Sequence, residues 1–270
     1  MSWLKTCYKV SVRRACRLVR FRRATFLYQT TRPEQAYLRK RIKEIASEKP
    51  RYGYRRITIL IRREGLAVNP KRVYRIYKEE GLQMRKKIPK RRVSPQLRQV
   101  RVPATKQNQC WSMDFVSDNL YNGQKLRCLT IMDNHTRISP AIGVGFRYTA
   151  CNVIDTLNLA VERYGKPDCI RVDNGPEFIS RELDLWAYAR GVQLDFSRPG
   201  KPTDNAFIES FNSRFRQECL NQHWFLSLED AQVKIKTWWK DYNEVRPHSA
   251  LGDVAPQSFA AANSLARQAI

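Results

Sequence analysis

Asp114, Asp173 and Glu209 are three residues whose types and sequence settings suit a shared metal site. Hard divalent cations such as Mg²⁺ prefer oxygen ligands, and carboxylates supply them directly. Two such ions about 3.5–4 Å apart stabilise both the attacking and the leaving oxygen of an in-line phosphoryl displacement. Because a metal lowers the pKa of bound water, this chemistry needs no histidine base. If the three side chains converge, they predict a phosphoryl-transfer centre.

Each of the three acids has a local sequence that predicts how it is held. Asp114 lies where apolar and polar residues alternate, which predicts a strand. Asp173 ends a short apolar run just before the turn signal Asn174-Gly175, so we expect it at the mouth of a strand. Glu209 lies in a predicted helix from about Thr203 to Leu220, whose apolar residues recur at helical spacing. Three distant elements therefore have to meet.

The competing interpretation treats these residues as ordinary surface acids. They are three of nineteen Asp and Glu residues after position 100, and most such side chains are exposed and solvated. Thirty-five residues separate Asp173 from Glu209, and spacing alone favours the solvated interpretation. The flanking sequences favour the metal site.

Four segments carry a resemblance to a known family. They are Trp-Ser-Met-Asp-Phe at 111–115, Val-Asp-Asn-Gly-Pro-Glu-Phe at 172–178, the stretch 198–212, and Tyr-Asn-Glu-Val-Arg-Pro-His-Ser-Ala-Leu at 242–251. These segments resemble the DDE catalytic core of insertion-sequence transposases, specifically the second-reading-frame product (OrfB) of the IS-three family. Retroviral integrases are the wider relatives of that family. The resemblance runs from about residue 30 to about residue 260.

The resemblance implies an RNase H-like fold in which Asp114, Asp173 and Glu209 bind two Mg²⁺ ions, with Mn²⁺ as the alternative. It implies metal-dependent cleavage of transposon DNA ends and transfer of the freed 3′-hydroxyl into target DNA, without a covalent protein intermediate. The implied partner is double-stranded DNA, both transposon ends and target, on which the protein assembles as a homo-oligomer. In that family an upstream frame supplies a further helix-turn-helix and a leucine zipper, so its product is a candidate fusion or partner.

Basic residues near the three acids are candidate DNA contacts. Arg216 follows Glu209 by seven residues, so both project from nearly the same side of the predicted helix. A basic residue at that position binds a DNA phosphate in related transposases, and an ion pair within the helix is the competing use. Arg198 and Lys201 lie in the loop 197–202, where a glycine between two prolines suggests a mobile edge that could close over a DNA strand.

The charge of the chain is concentrated in its first part. The formal net charge is +25, and residues 1–100 carry thirty Lys and Arg against six Asp and Glu. Residues 101–270 carry twenty against nineteen. Self-repulsion makes simple surface solubilisation a weak explanation for the first part, so we expect a polyanionic partner there.

A helix-turn-helix arrangement is predicted between residues 55 and 81. Residues 55–64 place aliphatic side chains on one face, and Gly65 follows as a stop. Asn69-Pro70 is typical of an N-cap and first-turn proline of a second helix, which Gly81 closes. A solvated basic face is the competing interpretation for its basic residues. We favour DNA contact for the segment and name four candidates: Lys71, Arg72, Arg75 and Lys78.

These patterns divide the chain into four predicted regions. Residues 1–84 form a basic, all-α DNA-binding region, and residues 85–105 form a basic linker that either follows the DNA backbone or is disordered. Residues 106–222 form the DDE core, and residues 223–270 form a C-terminal helical extension.

The core pattern predicts an α/β fold. A three-stranded meander is followed by helices that alternate with strands, which predicts a mixed sheet covered on both faces and agrees with the RNase H-like topology. The predicted strands lie near 110–118, 126–133, 137–145, 169–173 and 192–196, and the helices of the core near 149–164, 179–190 and 203–220. Ser227 is expected to cap a further helix, and the tail from Ala260 is expected to fray.

Several classes of protein are disfavoured by composition. The seven cysteines contain no Cys-x-x-Cys pair and are odd in number, which argues against a disulfide framework and a zinc ribbon. No apolar run approaches a membrane span, and the mixed N-terminal sequence lacks a signal-peptide core. We expect a bacterial cytoplasmic protein, associated with the nucleoid when bound to DNA.

Two other functions use parts of the same sequence. A Mg²⁺-dependent nuclease that only hydrolyses DNA would share the carboxylates and much of the fold. A non-catalytic DNA-binding regulator would need only the first hundred residues, and it would have no use for three clustered acids that repel DNA unless a metal neutralises them.

Overall fold

The structure is a computed structural model that describes residues 2–28, 35–84, 104–175, 177–197 and 205–268. By its internal contacts the chain divides into two units, Met1–Arg41 and Ile42–Ile270. The predicted linker 85–105 falls almost entirely outside the described residues. Within the described residues, no helix combines the length and apolar character needed to cross a bilayer.

The first unit contains three short helices and the start of a fourth. They are α1 (Ser2–Tyr8), α2 (Val12–Leu18), α3 (Arg23–Leu27) and the beginning of α4 (Ala36–Glu48). Ser11 caps α2 by accepting a hydrogen bond from the backbone N–H of Arg14, which satisfies a donor at the helix start. These helices agree with the all-α character predicted for residues 1–84.

The second unit begins with the rest of α4 and continues with the predicted helix-turn-helix. Helices α5 (Tyr54–Arg63) and α6 (Pro70–Glu79) form where the sequence placed them, and Asn69 caps α6 through its side chain. Their facing residues are fully or nearly fully buried, which gives this small element its own core. The main contributors are Ile57, Ile61, Val73, Ile76 and Tyr77.

A five-stranded mixed sheet forms the centre of the second unit. Its strands are β1 (Cys110–Asn119), β2 (Lys125–Asp133), β3 (Ile142–Gly145), β4 (Cys169–Val172) and β5 (Gln193–Phe196). The spatial order is β3-β2-β1-β4-β5, with β1, β2 and β3 antiparallel and β1, β4 and β5 parallel. The predicted meander followed by parallel strands is confirmed.

Helices cover both faces of this sheet. They are α7 (Ala150–Tyr164), α8 (Arg181–Arg190), α9 (Ala206–Glu218), α10 (Leu228–Glu244) and α11 (Pro256–Gln268). Residues of α7 and α8 share one buried core with Trp111 and Ile131, and residues of α9 and α10 share another with Val116 and Cys128. Because neighbouring strand residues point to opposite faces, β1 and β2 contribute to both cores.

The structure differs from the sequence prediction in three places. The third strand begins at Ile142 rather than near 137, since the amide of Asn243 occupies the backbone N–H and C=O of Ser139 and keeps them from pairing with a strand. Helix α4 was not predicted. The tail does not fray from Ala260 but continues as α11, in an alanine-rich sequence of high helix propensity.

Candidate active site and nucleic-acid interface

Asp114 lies in the central strand β1, opposite Thr130 of β2. Its side chain is half-buried. One carboxylate oxygen accepts a hydrogen bond from the backbone N–H of Phe115 at 2.7 Å, and the other accepts one from the Asn212 amide at 2.8 Å. Strand and hydrogen bonds together hold the carboxylate in one orientation.

The register of the sheet brings Asp173 beside Asp114. In the parallel pair β1 and β4, Trp111 lies opposite Ile170 and Ser112 opposite Arg171. Continuing the same register by two residues brings Asp173, directly after the end of β4, level with Asp114. The Asp173 side chain is exposed and accepts a hydrogen bond from the backbone N–H of Gly175 at 3.1 Å.

Glu209 is exposed on the first turn of α9. The helix is held over the sheet by Ile208, Phe211 and Phe215, which are buried in the same core as Val116 of β1. The apolar stripe predicted from the sequence is therefore confirmed, and it fixes which face of α9 packs on the sheet.

The electrostatics of Asp114 link the three acids. Burial, with smaller contributions from the negative charges of Asp173 and Glu209, raises the pKa of the Asp114 carboxyl to about 6, against the hydrogen bonds from Phe115 and Asn212. A like charge nearby disfavours ionisation, so Asp173 and Glu209 both lie within electrostatic range of Asp114. In the part of the chain that the structure describes, no three His, Cys, Asp or Glu side chains form a ready-made metal site.

Asn212 is a site residue that the sequence reasoning did not identify. Besides its hydrogen bond to Asp114, its amide oxygen lies 2.8 Å from the hydroxyl of Thr130, which is 3.0 Å from the backbone oxygen of Asp114. Its position three residues after Glu209 places both on one face of α9, which was the available signal. One helix face therefore carries an acid of the site and a side chain that orients another.

Of the three basic residues predicted near the site, the structure describes Arg216 but not Arg198 or Lys201. The Arg216 guanidinium donates to the backbone oxygen of Ser117 at 3.0 Å and is exposed. This contact places the Arg216 side chain beside the C-terminal half of β1. Arg198 and Lys201 lie outside the described residues.

Helix α6 presents its basic residues to solvent. Lys71, Arg72 and Lys78 are exposed, while Arg75 is half-buried with its guanidinium 3.8 Å from the Glu79 carboxylate. The opposite face packs against α5. Helix α6 thus has a basic face towards solvent and an apolar buried face, and DNA contact by its basic residues stays a prediction.

A buried ionic cluster joins the helix-turn-helix to the far end of α9. We call it the Glu218 cluster and define it as Arg56, Glu218, Arg246 and His248. Arg246, which is 1% exposed, donates two hydrogen bonds of 2.7 Å to Glu218, and Arg56 of α5 donates a third at 3.1 Å. Arg246 also lies 3.2 Å from Nε2 of His248. Burial, and then the charge of Arg246 and of other arginines, lowers the pKa of His248 to about 2, so this histidine is neutral and accepts the contact.

Further contacts connect the same elements. Arg63 at the end of α5 donates to the backbone oxygens of Val245 and Asp253, at 2.6 and 3.0 Å. Lys49 at the end of the α4 segment forms an ion pair of 2.7 Å with Asp241. The segment 242–251, which carried part of the sequence resemblance, thus anchors the helix-turn-helix against the core.

Family models match most of the chain. Residues 104–202 and 190–256 each match a model described as an integrase core domain, and residues 33–92 match one described as an HTH-like domain. The boundaries of these matches coincide with the sheet and with the α4–α6 helices, respectively. The matched residues include Asp114, Asp173 and Glu209.

Individual relatives extend over nearly the whole chain. The chain is 45% identical over 262 residues to the uncharacterized 31.7 kDa protein of insertion element IS407 from Burkholderia multivorans, covering 97% of this chain and 94% of that protein. It is 29% identical over 235 residues to transposase InsD of insertion element IS2D from Escherichia coli K12, covering 81% and 76%. A chain of the simian T-cell lymphotropic virus intasome, solved with PP2A regulatory subunit B56 gamma, aligns with a TM-score of 0.50 at 15% identity, over 81% of this chain and 74% of that one. This last likeness concerns the fold alone, and it agrees with the RNase H-like prediction.

Proposed function

Because this chain belongs to the IS-three family of insertion-sequence transposases, we propose that it cleaves the DNA ends of its element and transfers the freed 3′-hydroxyl into target DNA, using Asp114, Asp173 and Glu209. Members of the family are polynucleotidyl transferases, and this chain is an enzyme of that type. Two observations support the proposal: the β1–β4 register, continued two residues past its last pair, puts Asp173 level with Asp114, and the negative charges of Asp173 and Glu209 contribute to the raised pKa of Asp114.

The donor set fits a hard divalent cation. All three side chains offer carboxylate oxygens, the ligands that Mg²⁺ and Mn²⁺ prefer, and an opposite charge would relieve the repulsion that contributes to the raised pKa of Asp114. When bound, such ions would polarise the phosphodiester and stabilise the charge on the attacking and leaving oxygens. We propose Mg²⁺ as the ion, two per site, with Mn²⁺ as the alternative.

The chain's own residues set the geometry for this chemistry. Asp114 is fixed by the sheet, by the N–H of Phe115 and by the Asn212 amide, so little reorganisation is needed at that ligand. Asp173 is positioned by the turn that follows β4, and Glu209 by the packed underside of α9. In cleavage a water oxygen replaces the 3′-oxygen of a phosphodiester, and in transfer the freed 3′-hydroxyl does the same at the target. Both are in-line displacements at one centre.

Double-stranded DNA is the proposed partner of α6 and of the charged first part of the chain. Lys71, Arg72 and Lys78 point to solvent where phosphates can reach them, and an α-helix fits the major groove. We propose that the protein assembles as a homo-oligomer on paired transposon ends and that Arg198, Lys201 and Arg216 contact DNA near the reacting phosphodiester.

A strand-transfer assay tests the chemistry. The full chain is mixed with a labelled duplex carrying the terminal repeat of its element, a target plasmid, and Mg²⁺ or EDTA. Joined products should form with Mg²⁺ only, and Asp173→Asn should abolish both nicking and joining. Asp118→Asn, on the same face of β1 as Asp114, should leave both intact.

Two outcomes would contradict the proposal. Nicked ends without any joined product from the wild-type chain would identify a hydrolytic nuclease. Full strand transfer by Asp173→Asn would show that Asp173 is not required for catalysis.

A further inference from the structure

A groove lies between the helix-turn-helix and the outer face of α9. We call it the α5–α9 groove; its volume is about 1160 Å³. One wall is formed by the start of α5 and by α6, and includes Tyr54, Arg55 and Tyr74. The other wall is formed by α9 and includes Ser210 and Arg214. None of these five residues was singled out by the sequence analysis.

The groove carries an excess of positive charge. Arg51, Arg55, Arg56 and Arg214 line it, against one acid, Glu218. Glu218 is already bound by Arg56 and by the buried Arg246. The charge left facing the groove is therefore positive, and an anionic ligand complements it.

The groove also carries two aromatic side chains, the half-buried Tyr54 and the exposed Tyr74. The rings of Tyr54 and Tyr74 lie 4.7 Å apart, and Tyr74 is 45% exposed. The Arg55 guanidinium lies 5.9 Å from the centre of the Tyr54 ring and donates to its hydroxyl at 3.3 Å. The interior of α6 is filled by other residues, such as Val73 and Ile76, so Tyr74 is not needed for the core. An exposed ring, supported by a second ring and flanked by arginines, is an arrangement on which unpaired bases stack.

The position of the groove relates it to the reaction. Ser210, which lines the α9 wall, directly follows Glu209. The wall continues along α9 through Ser213 and Gln217 towards the helix-turn-helix. A strand lying in the groove would thus lead from the reacting phosphodiester to the DNA-binding helices.

We propose that the α5–α9 groove binds a single DNA strand next to the reacting end, with bases stacked on Tyr74 and Tyr54 and phosphates bound by Arg55 and Arg214. The identity of the strand as that of the element's end rests on the proposed function; the binding of a single strand does not. A paired duplex exposes only base edges in its grooves, so aromatic faces favour an unpaired segment. The chain's own linker is a poor occupant, because residues 85–103 contain eight Lys and Arg and no acid.

The test compares a tailed duplex with a blunt one. Both are fluorescently labelled, and the tail is a short single-stranded 3′ extension that contains 5-iodouracil. Stacking of one base is worth about 1–3 kcal/mol, so Tyr74→Ala should weaken binding of the tailed duplex roughly 5- to 150-fold and leave the blunt duplex unchanged. Tyr74→Phe should retain wild-type affinity, and the control Tyr188→Ala, whose side chain is 87% exposed on α8, should change neither duplex.

Photo-crosslinking identifies which residues the unpaired bases contact, which non-specific attraction between charges does not determine. Irradiation of the full chain with the tailed duplex should crosslink the 5-iodouracil to peptides containing Tyr74 or Tyr54, as mapped by mass spectrometry. Arg214→Ala should reduce this crosslink. Thermal unfolding of each variant verifies that it is folded.

The binding and crosslinking experiments are carried out in EDTA and in the Asp173→Asn background, so strand transfer cannot contribute to them. If the proposed chemistry were wrong, the test of single-strand binding by the groove would therefore still be valid. Unchanged affinity of Tyr74→Ala for the tailed duplex would overturn the proposal. Equal weakening of the tailed and blunt duplexes, or crosslinks confined to other peptides, would overturn it as well.

Discussion

At the scale of single residues, hydrogen bonds fix the orientation of Asp114, the central acid of the proposed site. Both carboxylate oxygens are already engaged, one by a backbone N–H and one by Asn212. The local sequence predicted the strand, turn and helix that carry Asp114, Asp173 and Glu209, whereas their grouping into one site came from the resemblance to the DDE core. The role of Asn212 was not predicted, since its partner lies 98 residues away in sequence and only the packing of α9 on the sheet brings the two together.

Loss of the Asn212 amide should weaken the site without unfolding the chain. Partners that orient metal-binding side chains typically contribute about 10–100-fold in metal affinity or activity. We therefore expect Asn212→Ala to lower strand transfer by about that factor and to require more Mg²⁺ for half-maximal activity. A Mg²⁺ titration of the assay measures this, with Asn221→Ala as the control. A wild-type Mg²⁺ requirement in Asn212→Ala would show that the amide does not position Asp114.

His248 should make the stability of the protein sensitive to acid. Its folded-state pKa of about 2 lies below the value of about 6.5 for an exposed histidine. The unfolded chain therefore takes up a proton as pH falls below about 6.5, while the folded chain does not, and the free energy of unfolding falls by up to about 1.4 kcal/mol per pH unit. The contribution of the neutral His248 to the free energy of unfolding is fully present above about pH 6.5 and is lost progressively as the pH falls below that value.

Urea unfolding at pH 7.5 and 5.5 measures this effect. His248→Gln keeps an acceptor for Arg246 but cannot be protonated, so the loss of stability between the two pH values should be smaller than in the wild type. His223→Gln serves as the matched control. Parallel losses in the wild type and in His248→Gln would contradict the assignment.

At the scale of elements, periodicity and caps predicted most of the structure. Asn69 and Ser227 cap the helices they were expected to cap, because an N-cap is a local interaction that the sequence displays directly. Helix α4 was overlooked although Leu38, Ile42 and Ile45 recur at helical spacing. The late start of β3 involves the amide of Asn243, about a hundred residues further along the chain, although Pro140 was a local signal against a strand beginning near 137.

The anchoring of α5 on α9 is another property of elements that no local pattern displays. Glu218 and Arg246 lie in separate helices or segments, and only the fold makes them partners. Removing one member of a buried pair leaves the other charge without compensation, which typically costs about 3–5 kcal/mol.

We expect Arg246→Ala to lower the free energy of unfolding by about that amount. Lys234→Ala is the matched control, because it removes an ion pair with Asp230 whose side chains are about a third exposed, and such surface pairs are worth about 0–1 kcal/mol. Chemical denaturation of both variants measures the difference. Equal effects would show that the Glu218 cluster contributes no more than a surface pair.

At the scale of the whole molecule, the boundary between the basic and the nearly balanced part of the sequence lies near residue 100. The boundary between the two structural units lies after Arg41, so the two do not coincide. Thirty of the fifty Lys and Arg lie before residue 101, whereas the acids of the site lie in the nearly balanced remainder. Composition alone indicated this arrangement. It could not show that α5 and α6 belong to the same unit as the sheet.

DNA binding should weaken steeply as salt is raised. Neutralising phosphates releases counterions, so a protein with about six to ten phosphate contacts loses roughly 10³–10⁵-fold in affinity between about 50 and 200 mM salt. Fluorescence anisotropy with a labelled duplex measures the slope for the full chain. Substituting Lys71 or Arg72 by alanine should reduce the slope by about one for each contact removed. A flat salt profile would contradict a role for this charge in DNA binding.

Helix α9 carries Glu209 near its beginning and Glu218 at its end, nine residues and roughly 13–14 Å apart along the axis. Any chimera that grafts a foreign helix-turn-helix module onto this core would therefore import more than a new DNA preference. Unless the graft supplies an arginine in place of Arg56, Glu218 loses one of its hydrogen-bond donors. Helix α9, which carries Glu209, then loses a contact that holds it against the helix-turn-helix. Module swapping in this protein thus has to preserve Arg56 as a structural partner of the core.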